Sequence, residues 1–199
     1  MVQIREAKGE EIEEVSALLA PAFEDKVMAV VGDMKRAMKI IPTVIKAIQG
    51  TILVAVEEKR ITGAMIITTE KPKFLVGSLW SCLKNLGLRG TWRAYLVVID
   101  YLKSLPERKE KEGVLEAVGV LQSVRGKGVG RELVKRGEEY LKERGLEYFG
   151  LGVKKESPAV RFYMRLGFEV VCQYKNKLGE WFYMRKKISH SLQRKATKS

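Results

Sequence analysis

Hydrophobic positions along this chain fall into two rhythms, one of period two and one of period 3.6, and their order predicts the fold. Residues 2–7 read as a short strand, and residues 9–23 place Ile12, Val15, Leu18 and Leu19 on one helical face. A second helical stripe, Val27, Val30, Val31, Met34, Met38 and Ile41, continues toward Gln49, with Pro42 expected to break or restart it. Core packing is the first reading of that stripe, and a border to a ligand site the second. Residues 51–56 and 61–69 are β-rich and separated by the polar Glu57-Glu58-Lys59-Arg60, which predicts a hairpin.

Residues 70–112 break the strand rhythm. Leu75, Leu79, Leu83 and Leu86 recur at helical spacing, and after residues 87–90 so do Trp92, Tyr95, Leu96, Ile99, Leu102 and Leu105. This predicts two helices inserted between the third and fourth strands, packed against the sheet. Burial is the expectation for aromatic stripes of this kind. The company of Trp80 and Trp92 with Lys84, Arg89 and Arg93 keeps a membrane-surface role as the alternative. A strand over 114–121 then runs through a Gly-rich turn into a helix with apolar Val129, Leu133 and Tyr140. A strand over 148–153, a helix near 158–166 and a hairpin of 169–174 with 181–187 complete the pattern, which is α/β. The polar, basic residues 189–199 read as a flexible tail.

With 199 residues and 46% hydrophobic composition, the chain supports one sizeable core, so 1–188 is expected to be a single domain. Cys82, Cys172 and His190 show no ligand spacing, so neither a metal site nor a disulfide framework is expected. No apolar run approaches the ~20 residues of a membrane span and the N-terminus lacks a signal core, so a soluble, cytoplasmic protein is expected. The net charge of +13 concentrates anionic ligands and disfavours strongly cationic ones. Asparagine occurs only at Asn85 and Asn176 amid abundant Lys, Arg and Glu, a thermophile-like composition.

The turn at 124–130 carries the candidate chemistry. A strand passing through glycines into a helix start presents bare amides and the positive end of the helix dipole, an arrangement that holds phosphate. The turn is neither G-x-x-x-x-G-K-[ST] nor G-x-G-x-x-G. It matches R-x-x-G-x-G through Arg125, Gly128 and Gly130. A second motif follows, A-x-x-F-Y-x-x-L-G-F, from Ala159 through Phe162, Tyr163 and Leu166 to Gly167 and Phe168.

With this pair of motifs, the chain over about residues 110–187 resembles the GNAT N-acetyltransferase superfamily. The resemblance implies a mixed, mostly antiparallel sheet of six to seven strands flanked by helices, with acetyl-CoA as co-substrate. It implies direct attack by a primary amine in a ternary complex, the acceptor being a small amine metabolite or a protein N-terminus or lysine. Gly126, Lys127, Gly128, Val129, Gly130 and Arg131 would hold the pyrophosphate by backbone N–H groups, with charge from Arg125, Lys127 and Arg131. Val118, Gly119 and Val120 match the strand segment that pairs with pantetheine.

Tyr163 stands where the family carries a general acid, with aromatic packing as its other reading. Glu116 stands where some members carry a base, and Glu112 is the alternative. Strand alternation puts 112, 114 and 116 on one side, and satisfaction by a neighbouring Arg or Lys is as natural a fate for either carboxylate. Glu156 replaces an asparagine that often contacts pantetheine or CoA, and a carboxylate cannot donate as an amide does. A non-catalytic acyl-CoA-binding or nucleic-acid-binding module on the same fold is the competing reading, although net charge alone, without a reader motif, supports nucleic acid. Homodimerisation is left open.

Overall fold

The structure, a computed structural model, describes residues 2–31, 39, 41–42, 44–46, 48, 50–70 and 76–189. Seven strands, β1 (Gln3–Glu6), β2 (Thr51–Glu57), β3 (Arg60–Thr68), β4 (Glu112–Val120), β5 (Tyr148–Lys154), β6 (Glu169–Asn176) and β7 (Gly179–Lys187), form one sheet in the order β1-β2-β3-β4-β5-β7-β6. Every pairing is antiparallel except that of β4 with β5. Among the described residues the helices with set bounds are α1 (Ile12–Val31), α2 (Val76–Ser104), α3 (Val129–Glu143) and the short α4 (Ala159–Arg165), and residues 39, 41–42 and 44–46 are helical as well.

The two faces of the sheet carry separate cores. Leu53, Met65, Ile67 and Leu115 pack against Val129, Leu133 and Leu141 of α3 and against Val160 and Tyr163 of α4. On the other face Val54, Ala64, Ile66 and Ala117 pack against Val15 and Leu19 of α1 with Ile41 and Ile45. Alternate strand residues thus feed opposite cores, as a sheet covered on both sides requires. α3 lies close to the sheet because Gly113 has no side chain; a Cβ there would fall within 3.0 Å of three side-chain atoms of the fully buried Leu141.

The structure departs from the sequence pattern at two places. α1 runs unbroken to Val31 with Pro21 inside it, so the first expected helix is continuous with residues 25–31 of the second. Met34 and Met38 of the expected stripe lie outside the described residues, while Ile41 is buried as expected. Both expected insertion helices are present within α2, and they meet at a sharp kink at Gly87, whose φ of 68° and ψ of −178° are open to glycine alone. Leu75 lies outside the described residues.

The second departure is the surface of α2. Ala94 is buried, but Leu88, Trp92, Tyr95 and Leu96 are exposed, so the expected burial of the aromatic stripe holds for only part of it. The C-terminal end of α2 does dock as the spacing predicts: Asn176 Nδ2 donates to Ser104 Oγ at 3.1 Å and the Lys177 amide to Asp100 at 2.8 Å. Residues 190–199, the expected tail, lie outside the described residues.

Because Leu141 has no free volume to yield, Gly113→Ala is expected to destabilise the protein by about 1–3 kcal/mol, read as a fall of several degrees in melting temperature.

Candidate active site

The parallel ladder between β4 and β5 holds only four rungs, Glu112↔Tyr148 to Leu115↔Leu151. Beyond them β5 continues to Lys154 alongside β7, and β4 continues to Val120 alongside β3. The strands therefore fork, and alternate N–H and C=O groups of residues 116–120 face a gap instead of a strand.

A bulge marks the fork on β4. Ile66 pairs with Ala117 and Ile67 with Leu115, so Glu116 is the extra residue. Leu115 belongs to the core under α3 and Ala117 to the core under α1, so the bulge reverses which face the following residues present. Val118 and Val120 accordingly pack toward the α3 side, and Gly119 faces α1, where a Cβ would come within 3.1–3.2 Å of Leu18 and Leu19.

Immediately after β4 comes the Gly-rich turn. Gly126 and Gly128 have φ of 80° and 88°, and Gly128 forms the N-cap of α3 with no side-chain cap. The first intrahelical bond runs from Glu132 N to Gly128 O at 3.0 Å. The amides of Val129, Gly130 and Arg131 are thus first-turn donors without helical acceptors, at the positive end of the dipole. The Val129 side chain is buried, whereas Arg125, Lys127 and Arg131 are exposed around the turn. Arg125 Nε lies 3.4 Å from the Val120 carbonyl. A Cβ on Gly130 would lie 3.5 Å from Val120 and 3.7 Å from Phe162, so the turn, the end of β4 and α4 converge on one place.

Tyr163 sits in α4 with its ring edge-on to Phe162 and Phe168, at centroid distances of 5.2 and 5.8 Å. It is buried, and burial pushes its phenol up to about 12. Glu156 is exposed in the turn between β5 and α4, outside this convergence.

The opposite face of the fork opens into a cleft of about 430 Å³ that includes open solvent. Glu116 and Gly152, the first residues past the last rung on each strand, both line it. Glu116 Oε1 accepts from Thr68 Oγ1 at 2.6 Å and from Arg108 Nη2 at 2.9 Å. Arg108 Nη1 also donates to the Glu70 carbonyl at 2.8 Å, which fixes the guanidinium at the cleft wall. Aromatic walls come from Tyr101 of α2, Tyr174 of β6 and Trp181 and Tyr183 of β7. The Tyr174 hydroxyl reaches the fork, 2.6 Å from where a Cβ of Gly152 would stand, and burial pushes its phenol up.

Sequence pattern did not single out Arg108, Tyr101 or Tyr174. The first lies in a polar loop, and the others join the cleft only through tertiary pairing.

Glu112 lies elsewhere, although it shares a sheet face with Glu116 as alternation implies. Its side chain has 0% exposure, and it accepts from Arg185 Nε at 2.8 Å, Arg185 Nη2 at 3.0 Å, the Tyr183 hydroxyl at 3.0 Å and the Lys109 amide at 2.6 Å. Four donors enclose it, away from the cleft lining.

The acetyltransferase (GNAT) family model matches residues 45–168, more than half of the chain, and the chain belongs to that family. Mycothiol acetyltransferase of Thermobifida fusca (strain YX) is 44% identical over 62 residues, a match spanning 31% of this chain and 19% of that protein. Two solved structures illustrate the shared fold. One, described as histone acetyltransferase HPA2 and related acetyltransferase from Corynebacterium glutamicum, superposes with a TM-score of 0.64 at 19% identity, covering 96% of this chain and 98% of its own. The ribosomal-protein-S18-alanine N-acetyltransferase from Escherichia coli superposes with a TM-score of 0.55 at 14% identity, covering 98% of each chain.

Gly130→Glu places a carboxylate on the anion seat at a position with ordinary backbone angles and room for a Cβ. It is expected to leave the melting temperature within about 2 °C and to weaken CoA binding at least about 100-fold by calorimetry.

Proposed function

We propose that this protein transfers the acetyl group of acetyl-CoA to a primary amine within a ternary complex. The observation that carries this reading is the fork. An open stretch of β4 backbone, unpaired donors at the start of α3 and a cleft holding a carboxylate meet where β4 and β5 part. Diphosphate would take the amides of Gly126, Gly128, Val129, Gly130 and Arg131, with Arg125, Lys127 and Arg131 supplying charge; the Lys127 amide, expected among these donors, is instead given to the Val124 carbonyl at 3.3 Å. Pantetheine would add to the free edge of Val118, Gly119 and Val120 as an extra strand does. Glu156, as an exposed carboxylate, gives no amide-type donation.

The acceptor amine would enter from the aromatic side of the fork. Its lone pair attacks the thioester carbon, the new C–N bond forms, and an N–H of the β4 edge steadies the oxyanion until the C–S bond breaks. Glu116, lining the cleft at the bulge, is the acceptor for the ammonium proton, directly or through water. Tyr163 gives its proton to the departing thiolate, and the second proton shed by the nitrogen as the amide forms returns through water to the phenolate. A phenol raised to about 12 stays protonated across the working range, so the donor form is always present. Glu112 instead clamps the closed part of the fork. A cytoplasmic site of action and an amine metabolite or peptide acceptor accord with this chemistry.

Tyr163→Phe is expected to lower kcat about 100-fold with CoA affinity unchanged, and any alkaline loss of rate below pH 10 is expected to persist in it. Tyr174, the second phenol at the fork, supplies the control: full activity in Tyr163→Phe together with loss in Tyr174→Phe would move the acid role to Tyr174.

Glu116→Gln is expected to lower kcat/KM at least about 100-fold and, because Arg108 keeps its bonds to Thr68 and to the Glu70 carbonyl, to lower the melting temperature less than the change at Glu112 does. Glu112→Gln is expected to lower the melting temperature, through the loss of a buried pair whose disruption costs about 3–5 kcal/mol. The reverse pattern in a kcat/KM and melting series would assign the base to Glu112.

A further inference from the structure

The Gly87 bend leaves a row of large apolar side chains without a cover. Leu88 is 79% exposed and Trp92 63%, and Tyr95 and Leu96 are also exposed. At 100° per residue these four fall within one stripe of the helix, and the rings of Trp92 and Tyr95 stack at 5.7 Å. Stranded apolar side chains occur singly on most surfaces, whereas a contiguous aromatic and leucine stripe marks a binding face.

Its charge setting is uniform. Between Glu70 and Asp100 the chain has no acidic residue. Lys84, Arg89 and Arg93 are exposed in the same helix, the two arginines beside the stripe. Asp100, the next acid, is engaged by the Lys177 amide. A helix with a Trp/Leu/Tyr stripe bordered only by cations has the composition of one that lies in a lipid headgroup layer. Among the described residues no helix is long and apolar enough to cross a membrane, so the mode is peripheral.

We propose that α2 docks this protein on an anionic membrane surface, with Leu88, Trp92, Tyr95 and Leu96 entering the headgroup layer and Lys84, Arg89 and Arg93 pairing with lipid phosphates. A second copy of the chain is the poorer occupant of this face. Its equivalent patch carries the same three cations, so self-association would oppose like charges, whereas an anionic bilayer satisfies stripe and cations together. The same stretch of helix carries Tyr101 to the cleft, so docking would bring the cleft close to the bilayer.

Co-sedimentation of the full chain tests this, using vesicles of pure phosphatidylcholine and vesicles containing 30% phosphatidylglycerol. The expected result is binding to the anionic vesicles, weakened by salt, with a blue shift of tryptophan emission that Trp92→Ser removes. Arg89→Gln/Arg93→Gln is expected to reduce partition roughly 30-fold, from about fivefold per cation. Leu88→Ser/Trp92→Ser is expected to reduce it at least about 10-fold with an unchanged melting temperature, since both side chains are exposed. Absence of binding at low salt, or binding by both double variants as tight as that of the unaltered protein, would overturn the proposal. So would a concentration-dependent dimer that Leu88→Ser/Trp92→Ser converts to monomer.

Discussion

Two neighbouring strands that share only four rungs determine what this fold can hold. Within a sheet, a strand edge deprived of its partner leaves amides and carbonyls whose desolvation costs about 1–3 kcal/mol each if nothing answers them. The parting of β4 and β5 is nevertheless built in from both sides. β5 is carried away by its register with β7, which extends to Lys154↔Trp181. β4 is held by its register with β3 and by α1, whose Leu18 and Leu19 close on Gly119. The bulge at Glu116 switches the facing of everything beyond it, so the valines that follow settle into the core beneath α3.

The closed part of the fork has its own fastening. Glu112 on β4 reaches across β5 to Tyr183 and Arg185 on β7, and Gly150 between them has no side chain to obstruct the contact. A buried ion pair of this kind adds little net stability over an apolar substitute, but it fixes which strands lie together. The fork thus starts at a defined rung. One side of it presents the uncapped start of α3 and the other the aromatic cleft, so the proposed anion seat and the proposed acceptor entrance lie on opposite sides of the sheet.

Much of this was legible beforehand because backbone-driven features leave local traces. Arg125, Gly128 and Gly130 advertise a turn whose dihedral angles and lack of side chains are properties of those residues themselves. Alternation of apolar positions located all seven strands to within a few residues. The fork left no such trace, since strand separation is a relation between β4 and β5, which a turn and a helix hold apart in sequence.

Features that depend on partners were harder to see. The bulge has no signature in Leu115-Glu116-Ala117, and it changes what period two implies beyond that point. The fates of Glu112 and Glu116 diverge because one meets Arg185 from a distant strand and the other Arg108 from a loop, a difference no spacing encodes. Helical spacing in residues 88–96 identified a helix and a stripe, but periodicity marks an apolar face without saying whether anything covers it. Tyr174 entered the cleft through hairpin register, which sets the facing of alternate residues only once the pairing is known.

Hydrogen exchange of backbone amides with and without CoA tests the central claim most directly. The account predicts that CoA slows exchange in two short clusters, residues 117–120 along the free edge of β4 and residues 126–131 at the start of α3, with little change in β1 and β2. CoA binding that protects other segments and leaves both clusters exchanging as in the free protein would contradict it.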